Sequence, residues 1–179
     1  MKDNILYDKH VFKKYITSDN ISKKIQSMAL DINSEYVNTK PIFLGVLKGS
    51  IYFMMDLLKY IDFDYEIDFV KIKSYSGMHQ DQIKYENINF NYFKNRNIII
   101  IEDVIDSGNT INLLYDEINK YNPQSCSIIT LLKKKTIKYF DQNKINYFGF
   151  EIKNKYVIGY GLDINNLFRN LKDIYIKDG

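Results

Sequence analysis

Three acids, Glu102, Asp103 and Asp106, fall within five residues and are followed at once by Ser107, Gly108, Asn109 and Thr110. Directly before them stands Asn97-Ile98-Ile99-Ile100-Ile101. Such a β-branched run, apolar on both faces, is typical of a central strand in a parallel sheet. A helical pattern begins directly after them, near Ile111. The N-terminus of a helix presents unpaired N–H groups and a partial positive charge, which suits a phosphate. Gly108 permits a tight loop and close backbone approach, and Ser107 and Thr110 add hydroxyls. Glu102 and Asp103 repel phosphate, so their work must be different: to accept hydrogen bonds from sugar hydroxyls, or to face a metal ion. The plainer reading is a strand followed by a helix capped by Asp106 or Ser107, with solvated acids. Clustered acids add no stability at such a loop, which favours a chemical role.

The segment 98–110, IIIIEDVIDSGNT, resembles the thirteen-residue 5-phosphoribosyl-1-pyrophosphate signature of type I phosphoribosyltransferases. Four apolar residues, two acids, two apolar residues, Asp, Ser, Gly, any residue and Thr all fall in place. The chain contains neither a GxxxxGK[ST] loop nor a GxGxxG fingerprint.

Four further segments resemble the hypoxanthine–guanine branch of that superfamily. Gly45-Val46-Leu47-Lys48-Gly49-Ser50 is similar to its pyrophosphate loop, in which the peptide before the lysine is cis, here Leu47–Lys48. Lys73-Ser74-Tyr75 opens a polar stretch similar to its catalytic flap, although SGMHQDQ carries less glycine than the family pattern. Leu131-Leu132-Lys133-Lys134-Lys135-Thr136 matches the segment whose lysine donates to O6 of a purine. By position that lysine is Lys134, and Lys133 and Lys135 read as solvated. Finally, Tyr156-Val157-Ile158-Gly159-Tyr160-Gly161-Leu162-Asp163, followed by Phe168-Arg169-Asn170-Leu171, resembles F-V-V-G-Y-G-x-D…Y-R-x-L. Together these segments span the chain from the helix near Ser18 to Leu171.

The resemblance implies a purine-salvage enzyme that joins hypoxanthine or guanine to 5-phosphoribosyl-1-pyrophosphate, releasing pyrophosphate. Glu102 and Asp103 would take the ribose hydroxyls, directly or through Mg²⁺. Asp106, Ser107, Gly108, Asn109 and Thr110 would hold the 5′-phosphate, and Lys48, Gly49 and Arg169 the pyrophosphate. Lys134, Tyr156, Val157 and Asp163 would bind the purine, with Ser74 and Tyr75 in the flap. Asp106 is the candidate general base, or a positioned acceptor, at N7. Glu102, Asp103 and Asp163 are the expected Mg²⁺ ligands. Rival readings are a xanthine or guanine preference, and a nucleotide- or RNA-binding regulator on the same fold.

The elements that must position these residues are legible from periodicity. Ile21, Ile25, Met28, Ala29 and Ile32 space an amphipathic helix over 18–36, capped by Ser18 or Asp19. Strands are expected at 41–46, 67–72, 97–101, 126–132, 147–150 and 156–158. Helices are expected at 50–60, 111–121 and, briefly, 136–143. The alternation predicts an α/β domain with a mostly parallel sheet flanked by helices. The resemblance adds a mobile flap at about 74–92 and a small hood subdomain from the N-terminal residues and about 133–179.

Composition excludes other classes. The 179 residues are 45% hydrophobic and 26% charged, which excludes disorder and collagen. A net charge of +3 is no nucleic-acid signature by itself, and no apolar run approaches a membrane span. MKDNILYDKH lacks the apolar core of a signal peptide. The single cysteine, Cys126, has no intrachain partner and apolar neighbours, consistent with a buried thiol in a reducing compartment. A cytoplasmic location is expected, and the family resemblance implies a homodimer or homotetramer that binds small molecules rather than nucleic acid or membrane.

Overall fold

The computed structural model describes residues 3–75 and 82–178. Its main sheet contains β3 (Ile42–Leu47), β4 (Glu66–Tyr75), β5 (Gln82–Glu86), β6 (Asn97–Ile105), β7 (Ser125–Lys134) and β8 (Ile145–Ile152). The strand order is β5-β4-β3-β6-β7-β8. Every pairing is parallel except β4 with β5.

The isoleucine run explains how this sheet is covered. Side chains alternate across a strand. Ile99 and Ile101 pack on one face with α1 (Ser18–Tyr36) and α2 (Ser50–Leu58), through Ile25, Ile32, Phe53 and Leu57. Ile98 and Ile100 pack on the other face with α3 (Asn109–Asn119), through Ile111, Leu114 and Ile118. The apolar stripe anticipated on α1 is buried throughout. Its cap falls one residue early, at Thr17, whose side chain accepts from the Asn20 N–H at 3.3 Å.

A second, antiparallel sheet is built from β1 (Asn4–Tyr7), β2 (His10–Ile16), β9 (Val157–Ile158) and β10 (Ile174–Lys177), ordered β1-β2-β10-β9. This is the hood, and it is narrower than the expected 133–179. Residues 145–152 form β8 of the main sheet instead. Asp173 anchors the hood to the core: its carboxylate accepts from the Ser18 N–H at 2.8 Å and pairs with Lys14 at 3.5 Å.

Three local expectations change. Residues 136–143 form no α-helix, because the Lys138 and Tyr139 N–H groups donate to the Ser107 carbonyl at 3.1 and 2.9 Å. Only a 3-10 turn, Gln142–Lys144, follows. In the polar stretch 74–92, Gln82–Glu86 forms β5, with Ser74 opposite Ile83 and Tyr75 opposite Gln82, and a 3-10 turn, Phe90–Phe93, follows. The rest of the flap, residues 76–81, lies outside the described residues. Cys126 is half-buried, and burial pushes its thiol up to about 12.

Candidate active site

The carboxyl ends of β3, β6 and β7 converge, as expected for a ligand site in an open α/β sheet. Beyond β3, the Leu47–Lys48 peptide is cis. Lys48 is exposed and Gly49 buried. A Cβ on Gly49 would fall 1.6 Å from Asp103 Oδ2, so the loop backbone and the carboxylate touch only because position 49 is glycine.

The strand β6 runs four residues further than the isoleucine pattern indicates, to Ile105. Glu102 and Asp103 therefore belong to the strand end and not to a loop, and this rigid ladder aims them. Glu102 Oε2 is buried without a hydrogen-bond partner. Burial, then the neighbouring Asp103, holds the Glu102 carboxyl well above the ordinary range. Asp103 is raised to about 6 by burial, against the N–H groups of Val104 and Asp103 itself and the charge of Arg169. Two carboxylates held at such electrostatic cost at a cleft mark a functional site.

Past Ile105 the chain turns through Gly108, whose φ of 86° is left-handed, into α3. Gly108 is itself the N-cap residue, so neither Asp106 nor Ser107 caps the helix. The Ser107 hydroxyl accepts weakly from the Asn109 N–H at 3.4 Å. Phe140 and Ile137 close over Gly108, where a Cβ would meet Phe140 at 2.6 Å. Glu102, Ser107, Gly108 and Thr110 line a small cavity of about 90 Å³ at the start of α3. The position and donors suit a phosphate.

Beside it lies a cleft of about 200 Å³, lined by Asp103, Val104, Asp106, Lys134, Tyr156, Val157, Leu162 and Asp163. All four residues expected around the base thus share one cavity. Lys134 reaches Asp106 at 2.5 Å. Lys133 instead lies over the Phe148 ring at 4.2 Å and pairs with Glu151. The ring of Tyr156 meets Phe12 of the hood edge-on, and its hydroxyl donates to the Asp163 carbonyl at 2.9 Å. Arg169 pairs with Asp163 at 2.7 Å and donates to the Gly161 carbonyl at 2.6 Å. Val104 and Leu162 are lining residues that sequence reasoning did not single out, though both lie inside the quoted motifs.

Among the described residues no three His, Cys, Asp or Glu side chains converge. Asp163 shares the cleft with Asp103 but pairs with Arg169 and accepts from the Asn166 N–H. Glu102 and Asp103, one with an unpartnered oxygen, still fit a hard cation. Mg²⁺ is commonly bound through only one or two carboxylates, with water and substrate oxygens completing the shell.

The phosphoribosyl transferase domain family matches residues 13–165. The hypoxanthine-guanine phosphoribosyltransferase of Bacillus subtilis is 38% identical over 166 residues, covering 91% of this chain and 92% of that protein. The hypoxanthine-guanine-xanthine phosphoribosyltransferase of Tritrichomonas foetus is 34% identical over 160 residues, covering 88% and 87%. Among solved structures, a hypoxanthine phosphoribosyltransferase from Staphylococcus aureus superposes with a TM-score of 0.86 at 29% identity, covering 93% of this chain and 91% of that one.

Proposed function

The chain belongs to the phosphoribosyltransferase family, and from that premise we propose that it transfers the 5-phosphoribosyl group of 5-phosphoribosyl-1-pyrophosphate to hypoxanthine and guanine. The products are IMP or GMP and pyrophosphate. The observation that carries this reading is the Lys134–Asp106 pair at the mouth of the cleft. An ammonium only donates and a carboxylate only accepts. A 6-oxopurine offers the matching edge, an acceptor at O6 and an N–H at N7.

The remaining residues divide the other tasks. Tyr156 covers the base with its ring. The loop from Asp106 to Thr110 takes the 5′-phosphate, using the free N–H groups at the start of α3. Glu102 and Asp103 accept from the ribose hydroxyls, and their charge favours the positive ribosyl centre of the transition state. Lys48, Gly49 and Arg169 face the pyrophosphate. As N9 of the purine bonds to C1′, the bond from C1′ to the pyrophosphate oxygen breaks, and Asp106 takes the N7 proton. When bound, Mg²⁺ on Glu102 and Asp103, or on Asp163, would add charge neutralisation at the donor's oxygens. Ser74 and Tyr75, at the end of β4, would open the flap that closes over the reaction centre.

No helix among the described residues is long and apolar enough to cross a membrane. Ile51, Tyr52 and Met55 on α2 are 37%, 40% and 46% exposed, an apolar face suited to a homodimer or homotetramer. Light scattering on the purified protein would test that assembly.

The deciding experiment supplies the donor, Mg²⁺ and each of four purines. We expect rates in the order hypoxanthine, guanine, xanthine, adenine, with less than about a hundred-fold between the first two, the scale of a single hydrogen bond. Adenine places a donor against Lys134, a buried mismatch of the kind that discriminates strongly. Adenine turned over as fast as hypoxanthine would overturn the reading.

A further inference from the structure

Behind the cleft, three consecutive residues take left-handed backbone: Gly159 at φ 95°, Tyr160 at 50° and Gly161 at 92°. For a bulky residue such as Tyr160 this conformation is uncommon and persists only when its surroundings hold it. Here the surroundings do so. The Tyr160 N–H donates to the Leu171 carbonyl at 2.8 Å, and the Gly161 N–H to the Arg169 carbonyl at 2.9 Å. The ring is 7% exposed, and its hydroxyl donates to Asp56 Oδ2 on α2 at 2.6 Å. The other Asp56 oxygen holds Lys59 at 2.6 Å, one turn along the same helix.

This turn and α2 are the two supports of the pyrophosphate end. Helix α2 begins directly after Lys48 and Gly49. The turn leads into Asp163 and Arg169. The two backbones touch, since a Cβ on Gly161 would lie 2.2 Å from the Gly49 carbonyl oxygen. Tyr160 and Asp56 themselves line a separate cavity of about 500 Å³, together with Tyr52, Tyr60 and Leu171. That cavity shares no lining residue with the purine cleft.

We infer that Tyr160 and Asp56 form a positioning pair that sets Arg169 against the Lys48–Gly49 loop, and so governs affinity for the pyrophosphate moiety far more than for the purine. The inference rests on the assignment of that end of the cleft to pyrophosphate. The Tyr160–Asp56 bond ties the turn to α2 through a charged acceptor, beside the looser ring contact of Tyr160 with Tyr52. Losing it lets the turn drift from Gly49, whereas Lys134 keeps its own anchor on β7.

The test compares wild type, Tyr160→Phe, Asp56→Ala, the double variant and Tyr52→Phe, all with Mg²⁺. Calorimetry reads pyrophosphate affinity, and steady-state kinetics reads KM for donor and for hypoxanthine separately. Both tie variants should weaken pyrophosphate and raise the donor KM about 5- to 30-fold, the scale of one charge-assisted hydrogen bond. The hypoxanthine KM should stay within about two-fold. The double variant should be no worse than the worse single, because both changes break one bond. Tyr52→Phe, which packs beside Tyr160 with ring centroids 6.3 Å apart, should change nothing. Unchanged pyrophosphate affinity in Tyr160→Phe, or equal losses for donor and purine, would overturn the pair. A wild type that binds pyrophosphate yet forms no nucleotide would instead sink the proposed reaction, while the affinity ratios would still decide the pair.

Discussion

Lys134 and Asp106 meet end to end across the mouth of the cleft, Nζ to Oδ2 at 2.5 Å, although they come from β7 and from the loop after β6. The lysine side chain is 13% exposed and the aspartate 66%. Each satisfies the other. On the proposed function, a 6-oxopurine entering the cleft would replace this ion pair with two hydrogen bonds of the same polarity, leaving neither group unpaired.

Asp106→Asn should lower turnover by about 10²-fold or more, the usual scale for a lost general base. Asp106 caps nothing and is largely exposed, so thermal denaturation should shift little. Single-turnover rates with saturating donor check this. A variant that keeps near-full rate would leave Asp106 as a bystander.

Lys134→Ala should raise the hypoxanthine KM about ten- to a hundred-fold through the lost bond to O6, with the donor KM almost unchanged. Lys133→Ala should do little, because that side chain lies over Phe148 beside Glu151. Equal effects at both positions would mean a diffuse basic patch rather than a directed donor.

Two glycine substitutions should fail differently. Gly49→Ala pushes on the end of a side chain, Asp103 Oδ2, which can rotate away. Stability should barely change while donor binding collapses. Gly161→Ala pushes on backbone, the Gly49 carbonyl, from a φ of 92°. Its cost is roughly 2–4 kcal/mol from strain plus overlap. Urea denaturation of the two variants in parallel separates these outcomes, and a larger loss for Gly49→Ala would contradict the geometry.

Much of the site was legible because each functional group sits in a contiguous motif at a strand end, where local pattern and chemistry coincide. Ile98 to Ile101 announce the central strand through their own periodicity, and Glu102 to Thr110 follow in order. What was not legible depends on partners distant in the chain. The segment His10–Ile16 carries mixed charge and poor alternation, and becomes a strand because Ile174–Lys177 pairs with it. Residues 136–143 have helical composition, but the Ser107 carbonyl takes their N–H groups. The Tyr160–Asp56 bond joins a motif residue to a helix position that no pattern in the chain marks.

Acid should act on the hood anchor. Burial alone would raise the Asp173 carboxyl, but the Ser18 N–H and Lys14 outweigh it and hold the group below its ordinary value of 3.8. A carboxyl held lower in the folded chain than in the unfolded one adds stability that is complete above the unfolded value and is lost as pH falls through the folded value. Urea midpoints should therefore gain an acid-side fall below about 3.8 that Asp173→Asn lacks. At neutral pH the variant should be less stable by roughly 1.5–3 kcal/mol. Acid limbs of equal slope in the two proteins would exclude Asp173 as the cause.

The strand β10 lies between β2 and β9 in the hood, though it is the last strand in chain order. On the ribosome, the β6 loop and the start of α3 therefore emerge and can dock before β2, paired only with β1, gains its second neighbour. A nascent chain can then form the loop at the start of α3 first and complete the small sheet last. An arrest series should show the phosphate half protected from protease while the hairpin β1–β2 is still cleaved. The order in which the two halves of the cleft mature is thus written into the position of one four-residue strand.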